Sequence, residues 1–309
     1  MTINARLKSL FVLPAMGLAA LLVFAALVML ALSPGYRLPW LGAALAAAAL
    51  PMVVVGFLLR PSARTSEFLP AHLLLGIVGL LLAARGMYSN FVTSWELYRE
   101  FGGAVLSAIN PTESNAPGLV ALLGMLLFLL YLFWYSRFGR YPDARLGVGS
   151  PLPEFALTDI DGNTVQSTDF LGAPAVFLFF RGNWCPLCMA QIDELVERYQ
   201  VLQELGVTVC LISPQHDHQT RKLAEQKNVE FRYFVDRDNE AAQTLGIAIK
   251  NGVPLGVPGD YPADTVMPTL FVTSPGGTIV FSDQTDNYRV RPEPDVFLAI
   301  LRRSRALEA

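Results

Sequence analysis

The chain has 309 residues, 53% of them hydrophobic and 16% charged, with a net charge of −3 and a mean hydropathy of +0.41. That is too apolar for one water-soluble domain, and the near-neutral balance argues against a nucleic-acid partner. Three cysteines are too few for a disulfide scaffold.

The apolar excess lies before about residue 146. Residues 1–145 hold ten basic and five acidic side chains, and residues 146–309 hold thirteen and twenty-one. The first part is read as a membrane domain over 1–140, followed by a linker over 141–150 and a soluble α/β domain over 151–309. Four apolar runs, 10–32, 38–59, 68–87 and 118–136, are each close to the roughly 20 residues that cross a bilayer as a helix. The first follows Arg6 and Lys8, but its apolar run exceeds the roughly 7–15 residues of a signal-peptide core, so it is read as an uncleaved span. Pro14 and Pro51 fall within or at the ends of spans, where membrane helices tolerate proline. Tyr36, Trp40, Tyr88, Tyr131, Trp134 and Tyr135 sit near span ends, where interfacial aromatics gather.

With four spans both termini share one side. That side carries Arg6, Lys8, Arg60, Arg64, Arg137, Arg140 and Arg145; the other carries Arg37, Arg85 and Arg99. Basic residues favour the cytoplasm, so the chain is expected as a multi-pass protein of the inner (plasma) membrane with its soluble half cytoplasmic. Between the third and fourth spans, Trp95, Leu97, Tyr98, Phe101, Val105, Leu106 and Ile109 suggest a helix lying on the membrane surface. No cysteine lies in a span and only His72 could ligate there. The spans thus read as an anchor, a docking surface or a quinone pocket.

The soluble half alternates strand and helix patterns. Strands are expected over 153–159, 164–165, 175–180, 207–213, 231–235, 267–272 and 278–281, with helices over 185–205, 220–227, 239–245 and 293–305. That order predicts an α/β sheet covered by helices. Its central feature is Phe177-Leu178-Phe179-Phe180-Arg181-Gly182-Asn183-Trp184-Cys185-Pro186-Leu187-Cys188, a buried strand, a polar turn and two cysteines at the start of a helix. The positive end of a helix dipole stabilises a thiolate there. A zinc site needs about four ligands; beyond this pair the chain offers only Cys210, His72, His216 and His218, so no metal and no other cofactor is expected. Cys210 lies in an apolar strand and reads as a core thiol, and the two loop histidines as solvated.

A resemblance now becomes specific. Gly149-Ser150-Pro151-Leu152-Pro153-Glu154-Phe155-Ala156-Leu157, Asp161-Gly162, Asp169-Phe170-Leu171-Gly172 and Leu211-Ile212-Ser213 are similar to the peroxiredoxin group that includes alkyl hydroperoxide reductases and thiol-specific antioxidants. The likeness covers about residues 146–305 and implies a thioredoxin-like fold. Laid on that pattern, Cys188 takes the peroxidatic position and Cys185 that of a threonine. Val266-Met267-Pro268 stands where such proteins carry an arginine. Pro268 instead resembles the cis-proline that faces the cysteine pair of thioredoxins, and a cis bond is expected there.

The resemblance implies a membrane-anchored thiol oxidoreductase with antioxidant character. Cys185 and Cys188 are the catalytic pair, supported by Trp184, Pro186, Pro268 and Arg181. In one mode Cys185 is an exposed nucleophile and Cys188 resolves the mixed disulfide. In the other Cys188 attacks peroxide and the sulfenic acid condenses with Cys185. Expected partners are membrane lipid, a peroxide or protein-disulfide substrate and an external thiol reductant. Two rival readings are a dedicated reductase or assembly factor for one membrane partner, and a docking module without catalysis.

Overall fold

A computed structural model describes residues 2–59, 62–63, 65–101 and 115–308. The chain divides into two compact units, one of residues 11–60 and 68–135, the other of residues 1–10, 61–67 and 136–309.

The first unit is helical. Helix α1 (Thr2–Leu32) reaches this unit from the chain's start, and α2 (Arg37–Ala48), α3 (Pro51–Leu59), α4 (Pro70–Phe101) and α5 (Ala116–Leu129) follow. Three stretches are long and apolar enough to cross a membrane: Asn4–Leu32, Pro70–Tyr88 and Ala116–Tyr135. A fourth crossing arises if α2 and α3 count as one span, but they meet at 64°. The second span expected over 38–59 is thus bent, at the Pro51 that the sequence places within it. Pro51 has no N–H to give the preceding turn, and its ring collides with the carbonyl four residues back. The fourth expected span, 118–136, matches Ala116–Tyr135 and finishes in π-helical winding over Leu130–Tyr135. The surface helix expected after residue 88 begins as an unbroken continuation of α4 to Phe101; its remainder lies outside the described residues.

Small residues let these helices approach closely. A Cβ on Gly79 of α4 would meet Ala46 N and lie 2.6 Å from Gly42 O, and one on Gly124 of α5 would lie 2.5 Å from Ala47 Cα. Without a hydrophobic drive between helices, such backbone contact is how membrane helices cohere. Leu21, Phe24, Leu58, Leu59, Leu74, Leu81 and Leu119 face outward. Apolar patches of that extent are rare on surfaces that meet water.

The second unit is a seven-stranded sheet in the order β2-β1-β5-β4-β3-β8-β9, from β1 (Ala156–Asp159), β2 (Thr164–Gln166), β3 (Ala175–Phe179), β4 (Thr208–Ser213), β5 (Arg232–Val235), β8 (Thr269–Thr273) and β9 (Ile279–Asp283). Strands β3, β4 and β5 run parallel, while β8 and β9 run antiparallel to their neighbours. Helices α6 (Pro186–Glu197), α7 (Tyr199–Glu204), α8 (Asp217–Lys227), α9 (Glu240–Thr244) and α10 (Pro294–Glu308) connect or cover the strands. This is a thioredoxin-like α/β fold, as expected. Strand β3 is buried along its whole length, and Phe177 stacks on Phe271 at 4.9 Å while Phe155 and Phe170 meet it edge-on. Burying such rings contributes more than any other single element of a core this size.

Three local details correct or extend the expectations. The helix expected over 185–205 breaks at Arg198, which leaves helical geometry at φ −98°, ψ 9° before α7 resumes. Between the helix expected over 239–245 and the strand expected over 267–272 lies a small antiparallel pair that the sequence did not announce, β6 (Ala248–Ile249) with β7 (Thr265–Val266). And Pro268 is trans, there being no cis peptide among the described residues. Trans is the lower-energy isomer by about 0.5–1 kcal/mol. Lying just before β8, Pro268 forfeits no ladder hydrogen bond there.

Residues 1–10 and 61–67 belong to this unit through named bonds. Lys8 Nζ donates to Arg137 O, Leu255 N to Ser9 O at 2.9 Å, and Ala63 N to Glu194 Oε1 at 3.3 Å.

Candidate redox centre

Strand β3 ends at Phe179, and the chain turns through Phe180–Trp184 before α6 begins. Gly182 makes the turn possible. Its φ is +136°, a region L side chains avoid, and a Cβ there would lie 2.8 Å from the Trp184 ring. Amides pin the turn to the segment after β4. Asn183 N donates to Gln215 Oε1 at 2.8 Å, and Asn183 Nδ2 to Gln219 O at 2.7 Å. Gln215 Nε2 returns bonds to Asn183 Oδ1 and Thr220 Oγ1.

Cys185 is the N-cap of α6 and Pro186 its first residue, where proline's fixed φ suits the helix and its missing N–H costs nothing. The Cys185 carbonyl accepts from Cys188 N and Met189 N, both at 3.0 Å. Both cysteines are free, and the Cys188 thiol donates to Cys185 Sγ at 2.8 Å. The expectation of an exposed Cys185 is corrected: it is 2% exposed and Cys188 is fully buried.

Burial on its own would raise the Cys185 thiol. The Cys188 S–H bond and the charges of Arg181 and Arg291 outweigh it and bring Cys185 down to about 6. Burial, the bond it donates and the charge on Cys185 all push Cys188 well up. The pair is thus polarised, with the thiolate on Cys185 and the proton on Cys188.

Arg181, which sequence alone leaves open between a thiolate partner and a surface charge, is 3% exposed. Its Nη2 donates to Gly252 O at 2.8 Å. Its guanidinium lies 4.5 Å from the Trp184 ring, 5.3 Å from Tyr288 and 5.9 Å from Phe138. Pro268 occupies the register position opposite Phe180, one residue beyond the Phe179–Thr269 pair. Cys210 is fully buried on β4 and burial pushes its thiol up, as a core thiol should be. His216 and His218 are exposed and stacked on each other, with His216 Nε2 3.7 Å from Asp260. Sequence reasoning missed Arg291, Tyr288 and Phe138; all three stand in irregular segments with no periodicity to mark them.

A polarised, buried cysteine pair at the helix start of a thioredoxin-like sheet defines a thiol oxidoreductase. Residues 148–282 match the AhpC/TSA family. The thiol-disulfide oxidoreductase ResA of Bacillus cereus is 28% identical over 130 residues, 42% of this chain and 72% of that protein. ResA of Geobacillus thermodenitrificans is 29% identical over 132 residues, 42% and 75% of the two chains. Peroxiredoxin Bcp of Escherichia coli is 29% identical over 102 residues, 33% of this chain and 65% of Bcp. Among solved structures, peroxidoxin BcpB of Mycobacterium tuberculosis aligns with a TM-score of 0.42 and 20% identity, over 50% of this chain and 96% of that one.

Proposed function

We propose that this protein is a membrane-embedded thiol oxidoreductase in which Cys185 attacks an oxidised substrate and Cys188 resolves the product. The observation that carries this is the place of Cys185 at the N-cap of α6, 2.8 Å from Cys188 Sγ, where the charges of Arg181 and Arg291 act on it. With a disulfide, the Cys185 thiolate bonds to one sulfur, the S–S bond breaks, and the other sulfur leaves as a thiolate that takes up a proton. Cys188 then loses its proton and displaces the second thiol, leaving a Cys185–Cys188 disulfide. With a hydroperoxide, the attacked O–O bond breaks, an alcohol leaves, and Cys188 displaces water from the sulfenic acid. An external thiol returns the pair to the dithiol in either case. The alternative in which Cys188 attacks first is disfavoured by its retained proton. The names of the relatives support both substrate classes, disulfide and peroxide.

The test is alkylation and single turnover of the full-length protein in detergent across pH. The rate at Cys185 should rise through about pH 6 and level off above it, whereas an ordinary thiol would climb until about 8.5. An inflection near that ordinary value, with neither peroxide nor a small disulfide oxidising the pair, would sink the reading.

We place the chain in the membrane with four crossings, the three long apolar helices and the bent pair α2–α3 as the fourth. Residues 1–10, 61–67 and 136 onward fall in one unit, which is where a chain returns after no, two and four crossings. The basic side chains, seven to three, support a cytoplasmic side. Reporter fusions after residues 35, 67 and 309 should therefore read outside, cytoplasm and cytoplasm. Opposite sides for 67 and 309 would remove one crossing and overturn the topology.

A further inference from the structure

Two arginines, two positions apart after β9, are both buried but differ in how their donors are used. Arg289 donates Nε to Ser136 Oγ at 2.8 Å, Nη1 to Thr65 Oγ1 at 3.0 Å and to Ser66 O at 3.3 Å, and Nη2 to Glu67 O at 3.0 Å. That is how a structural arginine is satisfied in a protein interior. Arg291 is 4% exposed, yet its Nε and Nη2 meet no hydrogen-bond partner among the described residues. Unspent donors on a buried cation are costly, and water, an ion, a ligand or a reacting group would satisfy them.

The segment that carries Arg291 also reaches the redox centre. Its Tyr288 ring lies 5.3 Å from the Arg181 guanidinium, and Arg289 N and Val290 N bond back to Asn287 at 3.2 and 3.0 Å, which holds the segment in place. Arg291 acts on titratable groups of more than one element. Its charge acts on Cys185 and Cys188 from α6 and on Asp283 at the end of β9. Arg181, at the end of β3, acts on Cys185 from its own position. Of these, only the cysteines generate new negative charge during a reaction.

We propose that Arg291 is a catalytic residue of this centre, its Nε–H and Nη2–H receiving the anion displaced when Cys185 attacks its substrate. The inference rests on Cys185 being the attacking sulfur. A new bond to Cys185 expels a thiolate from a disulfide, or an alkoxide or hydroxide from a peroxide, with the bonding electron pair. That anion appears inside a site with little water. Two preformed donors meet it there until it takes up a proton, and they are worth more to a strongly basic leaving group than to a weakly basic one.

That dependence gives the test. The full-length protein in detergent, with Arg291→Lys and Arg291→Met variants, is oxidised in single turnover by an aryl disulfide, whose thiolate leaves readily, and by a dialkyl disulfide, whose thiolate does not. Arg291→Met should slow the dialkyl reaction roughly 10²-fold, the loss typical of one oxyanion donor, and the aryl reaction far less. Arg291→Lys should recover part of the difference. Equal losses on both disulfides, or no loss on either, would overturn the proposal, as would a uniform loss accompanied by a lowered Tm in both variants. If the wild-type protein reacts with neither disulfide nor peroxide, the functional reading fails. The proposal, which rests on Cys185 attacking a substrate, then falls with it, whereas a wild type that reacts and an Arg291→Met that loses both disulfides equally overturns the proposal alone.

Discussion

Cys185→Ser reduces turnover of disulfide or peroxide below about a thousandth of the wild-type rate, while Cys188→Ser leaves the first chemical step running and stalls the second. The expectation follows from the polarity of the pair. Cys185 carries the thiolate because it accepts the Cys188 S–H and faces Arg181 and Arg291; serine has no comparable anion to offer at neutral pH. Replacing Cys188 with serine keeps a hydroxyl donor in place of the thiol and leaves the two charges, so the nucleophile survives. Its product has no resolving sulfur and accumulates. Mass spectrometry of Cys188→Ser after one exposure to a disulfide should show one mixed disulfide on Cys185, and after peroxide one added oxygen on Cys185. The same variant in membranes traps a protein partner if the substrate is one dedicated disulfide. Should Cys185→Ser still take up oxygen on Cys188 at the wild-type rate, the roles reverse and the attack begins from the helix interior. If both serine variants leave the biological phenotype intact, the docking reading without catalysis gains.

How much of this was legible in the chain depends on whether the information is local. The run Val176-Phe177-Leu178-Phe179-Phe180 declares a strand buried on both faces, and Cys185 with Cys188 at the head of an amphipathic run declares a helix start. Periodicity and punctuation carry that, so the fold class and the cysteine pair are readable. Arg291 is not. In Arg289-Val290-Arg291-Pro292 both arginines look like surface residues of a loop, and only tertiary placement spends the donors of one and leaves those of the other idle. The burial of Cys185 was hidden for the same reason. A solvent-facing thiol is the ordinary expectation at a helix N-cap, and whether neighbouring segments exclude water there has no local signature. Pro268 shows a different limit. The resemblance pointed to a cis bond, yet the two isomers of an X–Pro bond differ by only about 0.5–1 kcal/mol, so neighbours decide it. The bend at Pro51 was legible in principle. A proline after Ala49-Leu50 breaks a helix wherever packing does not hold it straight, and Pro14 inside the unbroken α1 shows that the residue type alone does not settle the matter.

The helical unit offers the other large effect, at glycines that hydropathy reads as mere gaps in an apolar run. Gly79 on α4 faces α2 so closely that a Cβ would meet Ala46 N, with Gly42 O at 2.6 Å and Ala46 Cα at 2.9 Å. These are backbone atoms, which cannot rotate aside as a side chain does. Gly79→Leu must therefore part α2 from α4, and the loss extends to their shared contacts with α5. Overpacking a fitted interior costs about 1–3 kcal/mol and more where backbone has to move. In a bilayer the cost would fall on helix association rather than on insertion, because leucine favours the hydrocarbon. Gly17 and Gly56 supply the internal control: nothing lies within 4 Å of a Cβ at either. Thermal unfolding of the full-length protein in mild detergent should show a Tm several degrees lower for Gly79→Leu and little change for Gly17→Leu or Gly56→Leu. The helical unit and the redox unit then separate in one experiment. If the membrane helices serve only as an anchor, Gly79→Leu lowers Tm while Cys185 alkylation keeps its inflection near pH 6. An inflection that moved as well would mean that the variant disturbs more than the packing of α2 against α4. An unchanged Tm for Gly79→Leu would mean that α2 and α4 do not pack through these glycines at all.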